Sequence, residues 1–323
     1  MVPDSPSYLA LAQDLSDLSL DRIHTRAPGY PVLLILSRSA QVPGRPLFFA
    51  SLLLHFAAIW LLASVLHRAG IKQLALILFA FVLLLPPYVE PAAYVLSENL
   101  AEVALVVAFV TLIWWLRERK TIWMVFSSLA VAYAALTRPT YQALAFSMAA
   151  ALVIFKYLLS DLPLKWADVM KASGILIFTS VLMLGGYAFI NYQNFGYFGV
   201  TPRLGLSLST KTWRFIERLP DEHASIRSVL ISARNAHLVQ DHGEHEGSMS
   251  VWAALPELSK ITGLEYHELS SHMLKLNLLL IKSAPLTYFR EVVWAFGGYW
   301  FPSSASLANF DSRVLQLPQR PEC

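Results

Sequence analysis

Cysteine is nearly missing from this chain: there is one in 323 residues, and that one, Cys323, is the last. No internal disulfide framework is available, so stability must come from packing. Charge is scarce as well. Asp, Glu, Lys and Arg make up 15% of the residues, against roughly a quarter in ordinary soluble domains. The net charge of +3 is too small to draw in a polyanion, and nucleic acid is not an expected partner. No internal repeat and no low-complexity segment is found. Met1-Val2-Pro3 has neither a basic region nor an apolar core, so no signal peptide is expected ahead of Asp4.

What fills the chain instead is apolar sequence, 56% of the residues. It is gathered into six runs, at about 46–66, 73–89, 97–116, 121–137, 141–160 and 172–192. Each approaches the ~20 residues that cross a bilayer as a helix, with 73–89 and 121–137 at the short end. The expected fold is an all-α integral membrane protein, a polytopic bundle of about six transmembrane helices. An outer loop (1–45) precedes the bundle (46–192), and an outer segment (193–323) follows it.

Loop charge sets the expected orientation. Arg68 and Lys72 follow the first run, Arg117, Arg119 and Lys120 the third, and Lys156, Lys165 and Lys171 the fifth. The alternate loops, 88–96 and 138–141, carry only Arg138 among cations. The positive-inside rule makes the first set cytoplasmic and the second extracytoplasmic. Residues 4–45 then lie outside, although Arg22, Arg26, Arg38 and Arg45 oppose that reading; the three alternating loops outweigh them. After Asn191 the apolar signal stops. Helices are expected at 211–218, 221–238 and 265–282, and the interrupted apolar stretch 275–301 reads as a helix lying at the interface. Residues 160–171 read as an amphipathic connector.

The densest set of groups able to do chemistry is at the front, between Asp4 and Pro31. Ser5 suits a helix cap and Pro6 the first helical position. Tyr8, Leu11, Leu15 and Leu18 recur at spacings of three and four, which predicts an apolar stripe on a helix ending near Leu20. Pro28-Gly29 suits the centre of a type II turn, which would reverse the chain and bring Asp4 and Arg26 to one site.

In the expected topology Asp4, Arg26, Glu90, Glu98 and Arg138 all reach the outer surface. Ionisable groups at membrane depth are costly and mark functional candidates. Two cations with several carboxylates suit a phosphate-bearing lipid whose headgroup reacts. Plainer readings stand beside this one. Asp4 also fits a helix N-terminus favoured by the dipole. Arg138 also fits a snorkelling interface residue, and Glu90 a loop residue. Glu98 and Glu102 share a helix face. His237, His242, Glu244, His245 and Glu246 have metal-ligand residue types, but the run is short, Gly-flanked and reads as solvated. Trp213, Trp252, Trp294, Tyr299 and Trp300 read as interfacial belt and core.

Four motifs occur in order: D-S-x-x-Y-L-x-x-A at Asp4–Ala12, R-x-P-G-Y-P at Arg26–Pro31, Y-x-x-S-E at Tyr94–Glu98 and T-R-P at Thr137–Pro139. With N-Y-x-x-F-G-x-F-G at Asn191–Gly199 and K-x-x-P-x-x-Y at Lys282–Tyr288, the pattern resembles the membrane-embedded GT-C glycosyltransferases. The resemblance is to the bacterial branch with protein mannosyltransferases and the lipid A aminoarabinose transferase. It implies an inner-membrane enzyme whose active site lies on the extracytoplasmic side. Such an enzyme moves a sugar from a polyprenyl-phosphate donor to a glycan, lipid or protein acceptor. Carried over by position, Asp4 is the catalytic carboxylate and Arg26 and Arg138 bind the donor phosphate. Glu98 is the acidic residue of the second outer loop, expected to bind sugar or metal. A divalent metal ion is the candidate cofactor. Asp4-Ser5 stands where the family usually has Asp-Glu, and the resemblance implies a chain shortened at both ends. A reading from another class is a non-catalytic membrane protein, either a lipid-glycan transporter or a partner subunit.

Overall fold

The computed structural model describes residues 5–23, 25–84, 94–159, 164–240 and 250–300. The chain divides into two units, Met1–Thr201 and Pro202–Cys323. The described residues of both are helices and connecting turns, with no strand among them.

The first unit opens with two short helices, α1 (Ser5–Ser16) and α2 (Gly29–Leu36). Six longer or more apolar ones follow: α3 (Arg45–Arg68), α4 (Gln73–Leu83), α5 (Glu98–Glu118), α6 (Thr121–Thr137), α7 (Leu144–Leu158) and α8 (Trp166–Phe195). Among the described residues four segments are long and apolar enough to cross a membrane: α3, α5, α7 with the 3₁₀ turn before it (Pro139–Leu158), and α8. The 24 residues of α3 give about 36 Å at 1.5 Å per residue, more than the hydrocarbon thickness. The other two expected spans differ from that standard. α6 is apolar but has 17 residues. α4 is described over 11 residues, and the rest of the 73–89 run lies outside the described residues. The 160–171 connector is also revised: 160–163 lie outside the described residues, and Trp166 onwards is already the first part of α8.

α6 is the centre of this unit, and its sequence explains why. Ser127, Ser128, Ala130, Ala132, Ala134 and Ala135 are all buried, so neighbouring backbones approach closely. Ser127 Oγ donates to Ala108 O of α5 at 2.8 Å, and Ser128 Oγ donates to Thr179 Oγ1 of α8 at 3.1 Å. α6 keeps Ile122, Phe126 and Leu129 on its one open side. The outer helices are exposed over more of their apolar surface. Phe49, Leu53 and Trp60 of α3 and Phe178, Val181 and Leu182 of α8 are exposed, far more apolar surface than a soluble protein shows.

The two ends of the bundle differ. At one, Arg117 Nη2 donates to Arg68 O at 2.6 Å and Lys171 Nζ to Thr121 Oγ1 at 3.0 Å. Arg68 and Arg117 therefore meet at this end, and Lys171 meets the start of α6 there. At the other lie the starts of α5 and α7, the end of α6, and α1 and α2.

Two expectations about the front segment are corrected. α1 ends at Ser16, not near Leu20, because Leu18 adopts a left-handed φ of 56° that no helix continues through. The stripe is accordingly Tyr8, Leu11 and Ala12; Leu18 is exposed. Nor is Pro28-Gly29 a type II turn. Pro28 has ψ −15°, in the helical region, and Gly29 is the first residue of α2. The glycine answers a different demand. A Cβ on it would collide with the Thr137 side chain and come within 2.9 Å of Leu136 O. α2 therefore docks end-on against the close of α6, and only glycine allows it.

The second unit has its own core. α9 (Leu204–Thr212), α10 (Ala224–Gln240), α11 (Ser250–Thr262), α12 (Tyr266–Ser283) and α13 (Pro285–Trp300) enclose Leu206, Phe215, Leu258, Met273 and Leu276. α10 and α12 fall where expected. The helix expected at 211–218 is instead the end of α9 followed by a 3₁₀ turn, Trp213–Arg218, broken at Phe215. α11 escaped the sequence reading because Pro256 sits inside it. The 275–301 stretch is two helices, not one, parted where Pro285 ends α12 and begins α13.

Candidate functional site

The end of the bundle that holds α1 and α2 gathers three of the four residues singled out by the sequence. Glu98 opens α5 directly after Ser97, and Arg138 follows the last residue of α6. Arg138 Nη1 stands 2.6 Å from Glu98 Oε1, a charge-assisted pair between two helix ends. The side chains are 35% and 34% exposed, so an anion can reach the guanidinium from solvent. The second carboxylate oxygen, Glu98 Oε2, is buried and has no hydrogen-bond partner among the described residues. Asn99 Nδ2 donates to Ser51 O of α3 at 3.0 Å, which fixes the start of α5 and so the position of Glu98.

Arg26 belongs to the same end but is held differently. It is 7% exposed; its Nε donates to Ser7 Oγ at 2.7 Å, and its guanidinium lies 4.6 Å from the centre of the Tyr8 ring. That cation–π contact gains from desolvation. Tyr8 then reaches across, its hydroxyl donating to Ser97 Oγ at 2.9 Å. A continuous path therefore runs from Arg26 through Tyr8 and Ser97 to Glu98 and Arg138. Ser5 Oγ donates to Val95 O at 3.2 Å, so the start of α1 is fastened to the same 94–98 segment. Asp4 lies outside the described residues, as do Glu90 and the His242–Glu246 cluster. Glu102, one turn beyond Glu98, is exposed.

The sequence reading missed the tyrosines. Tyr8, in the sequence a stripe position and part of the first motif, touches both the candidate cation Arg26 and Ser97. Its ring meets Tyr30 edge-on at 5.2 Å between centres. Tyr30 is buried, and its hydroxyl donates to Tyr94 O at 3.5 Å. Burial pushes its phenol pKa well above the ordinary tyrosine value, so it stays neutral. Tyr133 donates to Gly29 O at 2.9 Å, and Tyr187 to Ile23 O at 2.5 Å. The available signal was the placement of tyrosines at the ends of apolar runs, where a phenol finds a backbone partner. Asn191 acts similarly: fully buried, it donates to Gly199 O at 2.6 Å and folds the chain back after α8.

Among the described residues no three His, Cys, Asp or Glu side chains converge as a cation site. Glu98 offers one unengaged oxygen, too little alone to hold a divalent ion. Of the aromatic residues noted in the sequence, Trp213 is buried in the second unit, Trp294 is half-exposed, and the Tyr299 and Trp300 side chains lie outside the described residues. Compared with protein-family models, with curated proteins and with solved structures, the chain matches none.

Proposed function

We propose that this protein is a membrane-embedded glycosyltransferase of about six transmembrane helices. It would transfer a sugar from a polyprenyl-phosphate donor to an acceptor hydroxyl at the extracytoplasmic face of the inner membrane. The observation that carries this reading is the linked set Arg26–Tyr8–Ser97–Glu98–Arg138 at one end of an apolar helical bundle. Charges gathered at one end of a bundle suit a lipid whose phosphate lies at headgroup depth. The order of the four front motifs supports it independently.

In the proposed reaction the acceptor oxygen bonds to the anomeric carbon as the carbon–phosphate oxygen bond breaks. The acceptor proton passes to the Asp4 carboxylate, and the lipid phosphate leaves as an anion. A positioned general base contributes ~10²–10⁴ in rate. Arg138, reachable from solvent, takes the phosphate bidentately, and Arg26 stabilises the leaving charge from within the Tyr8 contact. Asp4 and Glu98 are the residues that would hold a divalent ion, whose chemistry would be to neutralise phosphate charge.

The test is Asp4→Asn in the full chain. Asn caps a helix about as well as Asp, so fold and donor binding should persist while transfer falls by ~10²–10⁴. Activity within a few-fold of the parent would leave Asp4 as a cap and move the search to Glu98. A second reading, a non-catalytic membrane protein, is favoured by one feature: Glu98 and Arg138 already neutralise each other. On that reading Arg138→Ala lowers stability without changing the affinity for a polyprenyl phosphate.

A further inference from the structure

Helix α13 wears its amphipathicity inside out. Thr287, Tyr288, Glu291 and Ala295 are the more sheltered positions, and Tyr288 packs against the core of the second unit. Leu286, Phe289, Val292 and Val293 point away, with Leu286 83% and Phe289 66% exposed. Leu286, Phe289 and Val293 recur at three and four residues, so they form one stripe along the outer side. Contiguous apolar surface of this kind marks an interaction face.

Charge says what covers it. The one acidic residue of α13, Glu291, is turned inward onto Arg214, with Glu291 Oε2 2.9 Å from Arg214 Nε. That guanidinium is also stacked between Trp213 and Trp294, 4.7 and 5.4 Å from their ring centres. The cations Arg290, beside the stripe on α13, and Lys282, at the close of α12, are by contrast exposed. An apolar strip edged by cations and free of carboxylates is complementary to anionic headgroups over hydrocarbon.

We propose that the outer face of α13 rests on the lipid surface, with Leu286, Phe289 and Val293 in the acyl boundary and Lys282 and Arg290 at the headgroups. The second unit is thereby attached to the membrane by a contact of its own, besides its link to α8. This shares with the proposed function only the bilayer and not the transfer chemistry.

The experiment uses the full chain with Cys323→Ser, carrying one added cysteine at a time: Phe289→Cys, Val293→Cys, Thr287→Cys or, in α3, Leu53→Cys. Each is labelled with an environment-sensitive fluorophore in vesicles of phosphatidylethanolamine and phosphatidylglycerol. Quenching by nitroxide-bearing lipid is compared with quenching by aqueous iodide. Labels at 289 and 293 should be quenched several-fold more by the lipid than by iodide, as at 53, while the label at 287 is reached poorly by either. Lipid quenching at 53 with iodide quenching at 289 and 293 would overturn the proposal and leave the membrane reading intact. Shielding of 289 and 293 from both quenchers that is lost on dilution of protein in lipid would assign the face to a second copy and overturn it too. Absence of lipid quenching at 53 as well would overturn both readings. Phe289→Asp, made at an exposed position that the core does not use, should raise iodide access at 293 several-fold.

Discussion

Tyr8 carries two contacts that separate cleanly by mutation. Tyr8→Phe removes the hydroxyl that donates to Ser97 but keeps the ring beside Arg26. One lost hydrogen bond costs about 1 kcal/mol, so this variant should unfold at slightly lower denaturant and retain donor affinity. Tyr8→Ala also removes a buried ring from the cluster with Tyr30 and Leu34. It should cost about 3–5 kcal/mol and release Arg26, lowering donor affinity as well. Equal affinity in both variants would show that the ring does not position Arg26. Two glycines make a second contrast at this scale. Gly29→Ala drives a methyl toward Leu136 O and should cost about 1–3 kcal/mol. Gly174→Ala, in α8 with nothing within 4 Å of the new methyl, should instead gain about 0.5–1 kcal/mol. Equilibrium unfolding of the two variants checks both signs.

Helix seams hold the second unit together, and α9 on α12 shows how. Gly205 lets the helices touch, since a Cβ there would meet the Ser270 carbonyl and lie 2.6 Å from Leu274 N. Asn277 fastens the seam: its Nδ2 donates to Gly205 O at 2.8 Å and Ser209 Oγ at 2.9 Å, and its Oδ1 accepts from Thr212 at 2.5 Å. Asn277→Ala removes three buried hydrogen bonds across the seam and should accelerate amide exchange across α9 and α12 together. α12 also carries a pH response. Burial, with His223 and Lys275 nearby, holds the His272 pKa below its usual 6.5. Unfolded chain therefore binds a proton more readily than folded chain. Stability is full above pH 6.5, falls as pH drops through that value, and levels off once the folded state protonates. Amide exchange in α12 should follow this course, and His272→Asn should flatten it.

For the whole molecule, orientation in the bilayer is the measurable consequence. With Cys323→Ser as the background, an impermeant maleimide applied to intact cells should label Thr140→Cys and not Ala69→Cys; the reverse pattern would invert the proposed topology. The arginines of the front segment, which oppose it by simple counting, are partly spent inside the fold. Arg22 Nε lies 2.9 Å from Asp14 Oδ2, and Arg26 is buried against Tyr8 and Ser7.

The apolar runs, read alone, determined that the chain is helical and where most of the helices lie. These properties follow from local composition and a 3.6-residue period, which a sequence displays directly. Glu98 and Arg138 were legible as ionisable residues flanking apolar runs; their pairing was not. Only the tertiary structure decided that Gly29 serves a helix contact rather than a turn, that Tyr8 joins Arg26 to the start of α5, and that α13 turns its apolar side outward. Each depends on which surfaces meet across 30 to 100 or more positions of chain, as with Tyr133 and Gly29. No periodicity encodes such a meeting, because a tyrosine or glycine fits the local helix equally well whichever partner it finds.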